Sequence, residues 1–159
     1  MALDISRKVL GNIDGGTNYA TYPFIVTNGV TVTAGDFVYF SSGRITNATI
    51  TGDVRLVGMA LETKVGTTGA VACLVAIDDD LKYLLQQDNV AATFAATDVG
   101  KYFDLTGATG AQLVDTSTGS ATTGVLLCLE YNPAIDPVAS DLTYGVFMIV
   151  ESFSDPLGA

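Results

Sequence analysis

The sequence predicts an all-β protein, an antiparallel β-barrel or sandwich of short strands, and three observations predict it. Apolar runs are short and are bounded by Gly, Asn, Thr and Ser turns. Several runs alternate apolar with polar residues, as a half-buried strand does. One strand signature is also written twice, as Gly35-Asp36-Phe37-Val38-Tyr39-Phe40 and as Gly100-Lys101-Tyr102-Phe103-Asp104-Leu105. The segments that follow are parallel too. Arg44-Ile45, Val57-Gly58-Met59-Ala60-Leu61 and Ala70 to Val75 follow the first copy; Gln112-Leu113, Thr123 to Leu129 and Gly145 to Val150 follow the second. Internal self-similarity speaks about architecture. Here it reads either as two pseudo-repeats, 30–88 and 95–151, or as a chance match between generic β segments.

In chain order, residues 1–22 read as an N-terminal arm and residues 23–159 as the β domain. Leu3, Ile5, Val9 and Leu10 give the arm an apolar side, and Gly11-Asn12-Ile13-Asp14-Gly15-Gly16 breaks any regular element. Pro23 introduces a strand, Phe24-Ile25-Val26, and Asn28-Gly29 is a hairpin turn signal. Val30 and Val32 alternate with threonines ahead of the Phe37–Phe40 strand. Ser41-Ser42-Gly43 turns the chain into Arg44-Ile45, and Thr51-Gly52-Asp53 is the next turn. Arg55 to Glu62 is a strand containing Gly58, and a glycine inside a strand marks a bulge or a close backbone approach. Ala70 to Ile77 is strongly apolar. The stretch 79–87 reads two ways. As a helix, Leu81, Leu84 and Leu85 share a side; as a strand, Leu81, Tyr83 and Leu85 alternate with Lys82, Leu84 and Gln86, and the β surroundings favour the strand. A helical turn fits Thr97-Asp98-Val99. Strands follow at Tyr102–Leu105, Ala111–Val114, Val125–Tyr131 and Tyr144–Glu151, with loops at Thr116–Thr123 and Asn132–Ser140.

A chain of 159 residues fits one domain or two very small ones, and hides roughly 68–70% of its unfolded surface. Apolar residues make up 48% of it and charged residues only 15%, against about 25% charged in a typical globular protein. Small and hydroxylated residues fill the gap, so part of the surface is expected to face protein in an oligomer or larger assembly. The net charge is −10. Nucleic-acid binding neutralises phosphates with Lys and Arg, so neither nucleic acid nor an anionic membrane is an expected partner. The N-terminus lacks the apolar centre of a signal peptide, and no apolar run approaches the roughly 20 residues of a membrane helix. The product is expected to be made, and to stay, soluble inside the producing cell until assembly or lysis.

Histidine is absent, which removes the usual general base at neutral pH and the commonest metal ligand. Ser-His-Asp and Cys-His systems are excluded with it, and no phosphate-binding glycine loop precedes a helix. Asp78-Asp79-Asp80 reads as a solvated turn or as a calcium-binding cluster. Asp36, Asp104, Glu62 and Glu130 lie near strands, but nothing selects two of them as a glycosidase pair. No catalytic residue, metal ligand or cofactor is expected. Cys73 and Cys128 lie in apolar runs, at roughly matching places in the two halves, and read as free buried thiols. Seven tyrosines are spread along the chain, and tyrosine suits an interface. Phe37, Phe40 and Phe103 read as core.

The series Thr33-Ala34-Gly35-Asp36-Phe37-Val38, Leu56-Val57-Gly58-Met59-Ala60 and Gly69 to Val75 resembles the small, β-tulip-like barrel of tailed-phage head decoration proteins. Gln86-Gln87-Asp88, Asp98 to Leu105 and Leu127 to Pro133 are similar to a pattern common in virion proteins. The resemblance covers roughly residues 30–151 and rests on turn and strand residues. It implies a virion structural protein on the capsid outer surface that cements the major capsid protein lattice, as a homotrimer. It also implies an arm that grips the shell, so Leu3, Ile5, Val9, Tyr19 and Tyr22 are the expected capsid or subunit contacts. The second repeat sits uneasily with a single barrel. Other expectations compatible with the sequence are a head fibre base, a tail or adaptor subunit, or an adhesive carbohydrate-binding β module.

Overall fold

The structure is a computed structural model and describes residues 8–48, 55–78, 80–88, 94–131 and 144–150. It is all-β and antiparallel. The strands are β1 (Lys8–Asn12), β2 (Thr21–Ile25), β3 (Thr31–Val32), β4 (Phe37–Ser41), β5 (Arg44–Asn47), β6 (Leu56–Ala60), β7 (Lys64–Val65), β8 (Ala72–Ala76), β9 (Leu81–Gln86), β10 (Tyr102–Thr106), β11 (Leu113–Ser120), β12 (Leu126–Tyr131) and β13 (Tyr144–Ile149). A 3-10 turn spans Ala96–Asp98. The ambiguous stretch is the strand β9, whose Leu81, Tyr83 and Leu85 all point into the core.

A five-stranded sheet runs β2-β8-β6-β4-β5, and a six-stranded sheet runs β1-β9-β13-β12-β10-β11. Apart from β1, the two orders are the same once β2, β4, β5, β6 and β8 are matched with β9, β10, β11, β12 and β13. The finer pairings agree. Gly35 N–H donates to Ala60 O, and Ala60 N–H to Asp36 O; Gly100 N–H donates to Cys128 O, and Cys128 N–H to Lys101 O. Each sheet also curls until two non-neighbouring strands meet at one parallel bridge, β2 and β5 through Val26 and Ile45, and β9 and β11 through Gln87 and Val114. Among the described residues neither sheet goes on to close as a barrel, and the architecture is a sandwich of short strands.

Several expectations change here. Two structural halves run from β2 to β8 and from β9 to β13, so β9 opens the second half rather than ending a repeat at residue 88. The motif match begins only at Gly35 and Gly100, and of the strands before it only Tyr22 and Tyr83 match when the ladders are aligned. Cys128 lies on β12, the counterpart of β6, whereas Cys73 lies on β8, so the cysteines are not equivalent. The counterpart of Gly58 is Leu126, because Val38 pairs with Gly58 and Phe103 with Leu126. Thr116–Ser120 belongs to β11 rather than to a loop; pairing with β10, from Thr106↔Leu113 to Tyr102↔Ser120, overrides its turn-rich composition. Lys8–Asn12 is an edge strand on β9 rather than part of a free arm, and its Gly11 is absorbed as a bulge. The 51–53 turn and the 132–140 loop lie outside the described residues.

Paired residues in an antiparallel ladder share a face, which fixes where the core sits. Tyr83, Leu85, Phe103, Leu105, Leu126 and Phe147 make the inner face of the six-stranded sheet. Phe37, Leu56, Met59 and Ala76 of the five-stranded sheet pack on it. The rings of Phe37 and Tyr83 meet edge-on, with centroids 4.9 Å apart. A second cluster (Val26, Val32, Val38, Ile45, Val57, Ala60, Cys73, Val75) fills the other side of the five-stranded sheet, around the β3–β7 ribbon.

Candidate functional site

A surface that meets other proteins must be held rigidly, and here a buried polar seam joins the halves. Asp36 is fully buried at the start of β4. Its carboxylate first closes its own turn, accepting the Thr33 N–H at 2.9 Å. It then reaches the second half, accepting the Thr109 hydroxyl at 2.6 Å and the Gly110 N–H at 2.8 Å. Gln112, also buried, lies alongside. Its Oε1 accepts the Phe37 N–H at 2.6 Å, and its Nε2 donates to Phe37 O at 3.0 Å and Ala48 O at 2.8 Å. The side chain thus pairs with β4 much as another strand would. Buried polar groups are tolerable when satisfied in this way. Neither residue stood out in the sequence as a seam residue; their one signal is a polar side chain flanking an apolar strand.

The N-terminal segment is tied down by the acids before β9. Asp78 Oδ2 accepts the Ala20 N–H, and Asp80 Oδ1 accepts Asn12 Nδ2, both at 2.8 Å. These two carboxylates therefore work as backbone and amide acceptors. Asp79 lies outside the described residues. Among the described residues, no group of three or more His, Cys, Asp or Glu side chains is placed to hold a metal ion. Glu62 accepts the Leu74 N–H at 2.9 Å and pairs with Lys64 at 3.5 Å.

Of the expected contact residues, Leu3 and Ile5 lie outside the described residues. Val9 and Tyr19 turn inward and pack against the main core. Tyr22 is different, being 54% exposed. Its ring lies 4.8 Å from that of Phe24, and Phe24 meets Phe40 edge-on at 5.1 Å. Phe40, expected in the core, is only partly buried. The three rings form an aromatic edge on the five-stranded sheet, drawn from β2 and β4. Alternation within β2 places Tyr22 and Phe24 on one face, but the contact of Phe24 with Phe40, on a strand that is not its neighbour in the sheet, requires the curl that bridges Val26 to Ile45.

Both cysteines are free and buried. Burial pushes the Cys73 thiol from 9.0 up to about 11, and the Glu62 carboxylate adds to the shift. Burial likewise pushes Cys128 up to about 12, with Asp98 adding. The thiolate is the nucleophile, so neither should react with a disulfide reagent at pH 8 in the folded protein, while both should react in denaturant. Rapid labelling of either native thiol would contradict this placement. A raised pKa stabilises the folded state fully below the ordinary thiol value, and that contribution is lost as pH rises through about 11 to 12. Melting temperature should therefore begin to fall above pH 9, and less steeply in a Cys73→Ala, Cys128→Ala protein.

No family model matches the chain, and no curated protein matches it. Among the described residues, no helix is long and apolar enough to cross a membrane.

Proposed function

We propose that this protein is a virion structural protein that binds the outer surface of a phage capsid and stabilises the shell, acting by adhesion rather than catalysis. The observation that carries the reading is the aromatic edge of Tyr22, Phe24 and Phe40, set in a chain unusually poor in charge. An exposed tyrosine backed by two partly buried phenylalanine rings suits protein contact, since each ring buries much area at small entropic cost. The acidic balance suits the outer side of a shell, because a surface facing packaged DNA needs cations. In this reading the major capsid protein is the partner and the protein assembles as a homotrimer, with no cofactor, nucleic acid or membrane involved. It binds the assembled lattice in preference to isolated subunits, and its binding energy then stabilises the shell by mass action.

The test is the copy number of the chain in purified virus particles, measured by quantitative mass spectrometry against the major shell protein. A ratio near one to one is expected. A few copies per particle would relocate the protein to the tail or portal region, and absence from particles would sink the virion reading.

A further inference from the structure

The second half shows what the outer edge of β2 lacks. Tyr22 pairs with Val75 and Val75 with Ala60, as Tyr83 pairs with Phe147 and Phe147 with Cys128. The curl of the sheets agrees, since Thr27 N–H donates to Ile45 O as Asp88 N–H donates to Val114 O. Thr21, Tyr22 and Pro23 are therefore the counterparts of Lys82, Tyr83 and Leu84. On β9 the edge away from β13 is covered by β1, which sets Gly11 opposite Lys82 and Lys8 opposite Leu84. Among the described residues no strand covers the matching edge of β2, and Thr21, Tyr22 and Pro23 are all exposed.

The hydrogen-bond phase shows which groups that edge presents. Ile77 N–H donates to Ala20 O, and Val26 N–H donates to Val71 O. Even-numbered residues of β2 thus bond to β8, and the main chain of Thr21, Pro23 and Ile25 turns outward. On β9 the same phase faces β1, because Asp80 O accepts the Ile13 N–H. Proline has no N–H, so the open edge lacks a donor where the covered edge has Leu84. Two other edges are interrupted differently. β1 is bulged between Val9 and Gly11 and gives its Asn12 N–H to Gly16 O, and on β11 the Thr116 N–H is taken by the Asp88 carboxylate at 3.1 Å.

We infer that Pro23 bars a second copy of this chain from pairing along the β2 edge, doing for the first half what β1 does for the second. An exposed strand edge is a template for such pairing, and proline is one of the residues that blunts it. Antiparallel pairing of two such edges is isologous, so the missing donor counts twice, once in each copy. The edge beside the exposed Tyr22 ring is thereby kept free of further copies. The inference does not rest on the virion reading. Its failure would leave the particle copy number as a separate test, and a failed copy-number test would leave the edge argument standing.

The experiment is light scattering of purified wild type, Pro23→Ala and Pro23→Thr up to millimolar concentration, with amide hydrogen exchange on the same samples. Both substitutions restore the N–H without adding apolar side-chain surface. Each variant should form a species of twice the wild-type mass, with self-affinity raised about ten- to a hundredfold, as for two regained hydrogen bonds. Protection of the amides at positions 21 and 23 should rise with concentration in the variants, and the amide at position 21 should stay unprotected in the wild type. Circular dichroism shows whether each variant is folded, and the second substitution serves if the first is not. Folded variants that keep the wild-type mass, association without protection at those amides, or concentration-dependent protection of position 21 in the wild type would each overturn the inference.

Discussion

Gly58→Ala is expected to cost about 3 kcal/mol of stability or more, placing it among the most damaging single-methyl changes available in this chain. The reason is space. A Cβ on Gly58 would lie 1.8 Å from the carbonyl oxygen of Ala76 and 2.9 Å from its carbon, with the Val75 side chain at 3.2 Å. The obstacle is the backbone of the neighbouring strand β8, so no rotamer change relieves it. The ladder between β6 and β8 has to open, and that ladder joins the two middle strands of the five-stranded sheet. In a thermal melt the loss should read as roughly 6–12 °C for a chain of this size. Gly29→Ala is the control. Its φ is +76 and its added Cβ meets open space, so only backbone strain is at stake, and about 1 kcal/mol should be lost. Equal losses for the two variants would show that the close approach at Gly58 is not what matters.

The second large effect is expected at the seam. Asp36→Ala strands two donors, the N–H groups of Thr33 and Gly110, and leaves the hydroxyl of Thr109 the Thr31 carbonyl at 3.0 Å to donate to. Hydrogen bonds to a charged group contribute about 1.5–3 kcal/mol each, and stranded buried donors add a desolvation cost. These terms overlap, so a net loss of about 3–5 kcal/mol is expected. Asp36→Asn should cost less, because its remaining carbonyl oxygen still accepts while its amide group faces a donor. Gln112→Ala should cost about 2–4 kcal/mol, since it leaves the Phe37 N–H and the Ala48 carbonyl without the Gln112 amide, while Phe37 O keeps only the Ala48 N–H. Asp36 adjoins Phe37, which Gln112 bonds, and its own partners Thr109 and Gly110 lie just ahead of Gln112, so the double variant should lose less than the sum of the two. Denaturant unfolding of all four proteins checks this. Strict additivity would mean that the two residues do not belong to one seam.

Much of the architecture was legible because strand formation here is signalled locally. Phe37–Ser41, Leu56–Ala60 and Ala72–Ala76 are short apolar runs between turn residues, and they fold as such. Gly58 advertised a close approach, although the sequence does not say that Ala76 is the partner. Legibility failed where pairing outweighs composition. Leu113–Ser120 is written in turn residues and becomes a strand because β10 offers it a ladder. Lys8–Asn12 carries a glycine that should break it, and β9 accommodates that glycine as a bulge. The candidate site was half visible. Tyr22 stood out as an interface-type residue, but Phe40 read as core, because alternation assigns a residue to a face without saying what covers that face.

The sequence by itself determined the all-β class, the positions of most strands, the duplicated anchor strand at Gly35 and Gly100, and the absence of histidine chemistry. These follow from side-chain periodicity, turn propensity and composition, each readable within a few residues. Only the tertiary structure decided which faces of the two sheets meet, that Phe37 packs against the Tyr83 ring, and that Tyr22 is left exposed beside a filled second cluster. A strand has two faces and a period of two. Which of its faces meets the next sheet depends on the long-range packing of Phe37, Met59 and Ala76 and on the buried Asp36–Gln112 seam, and those contacts join residues far apart along the chain.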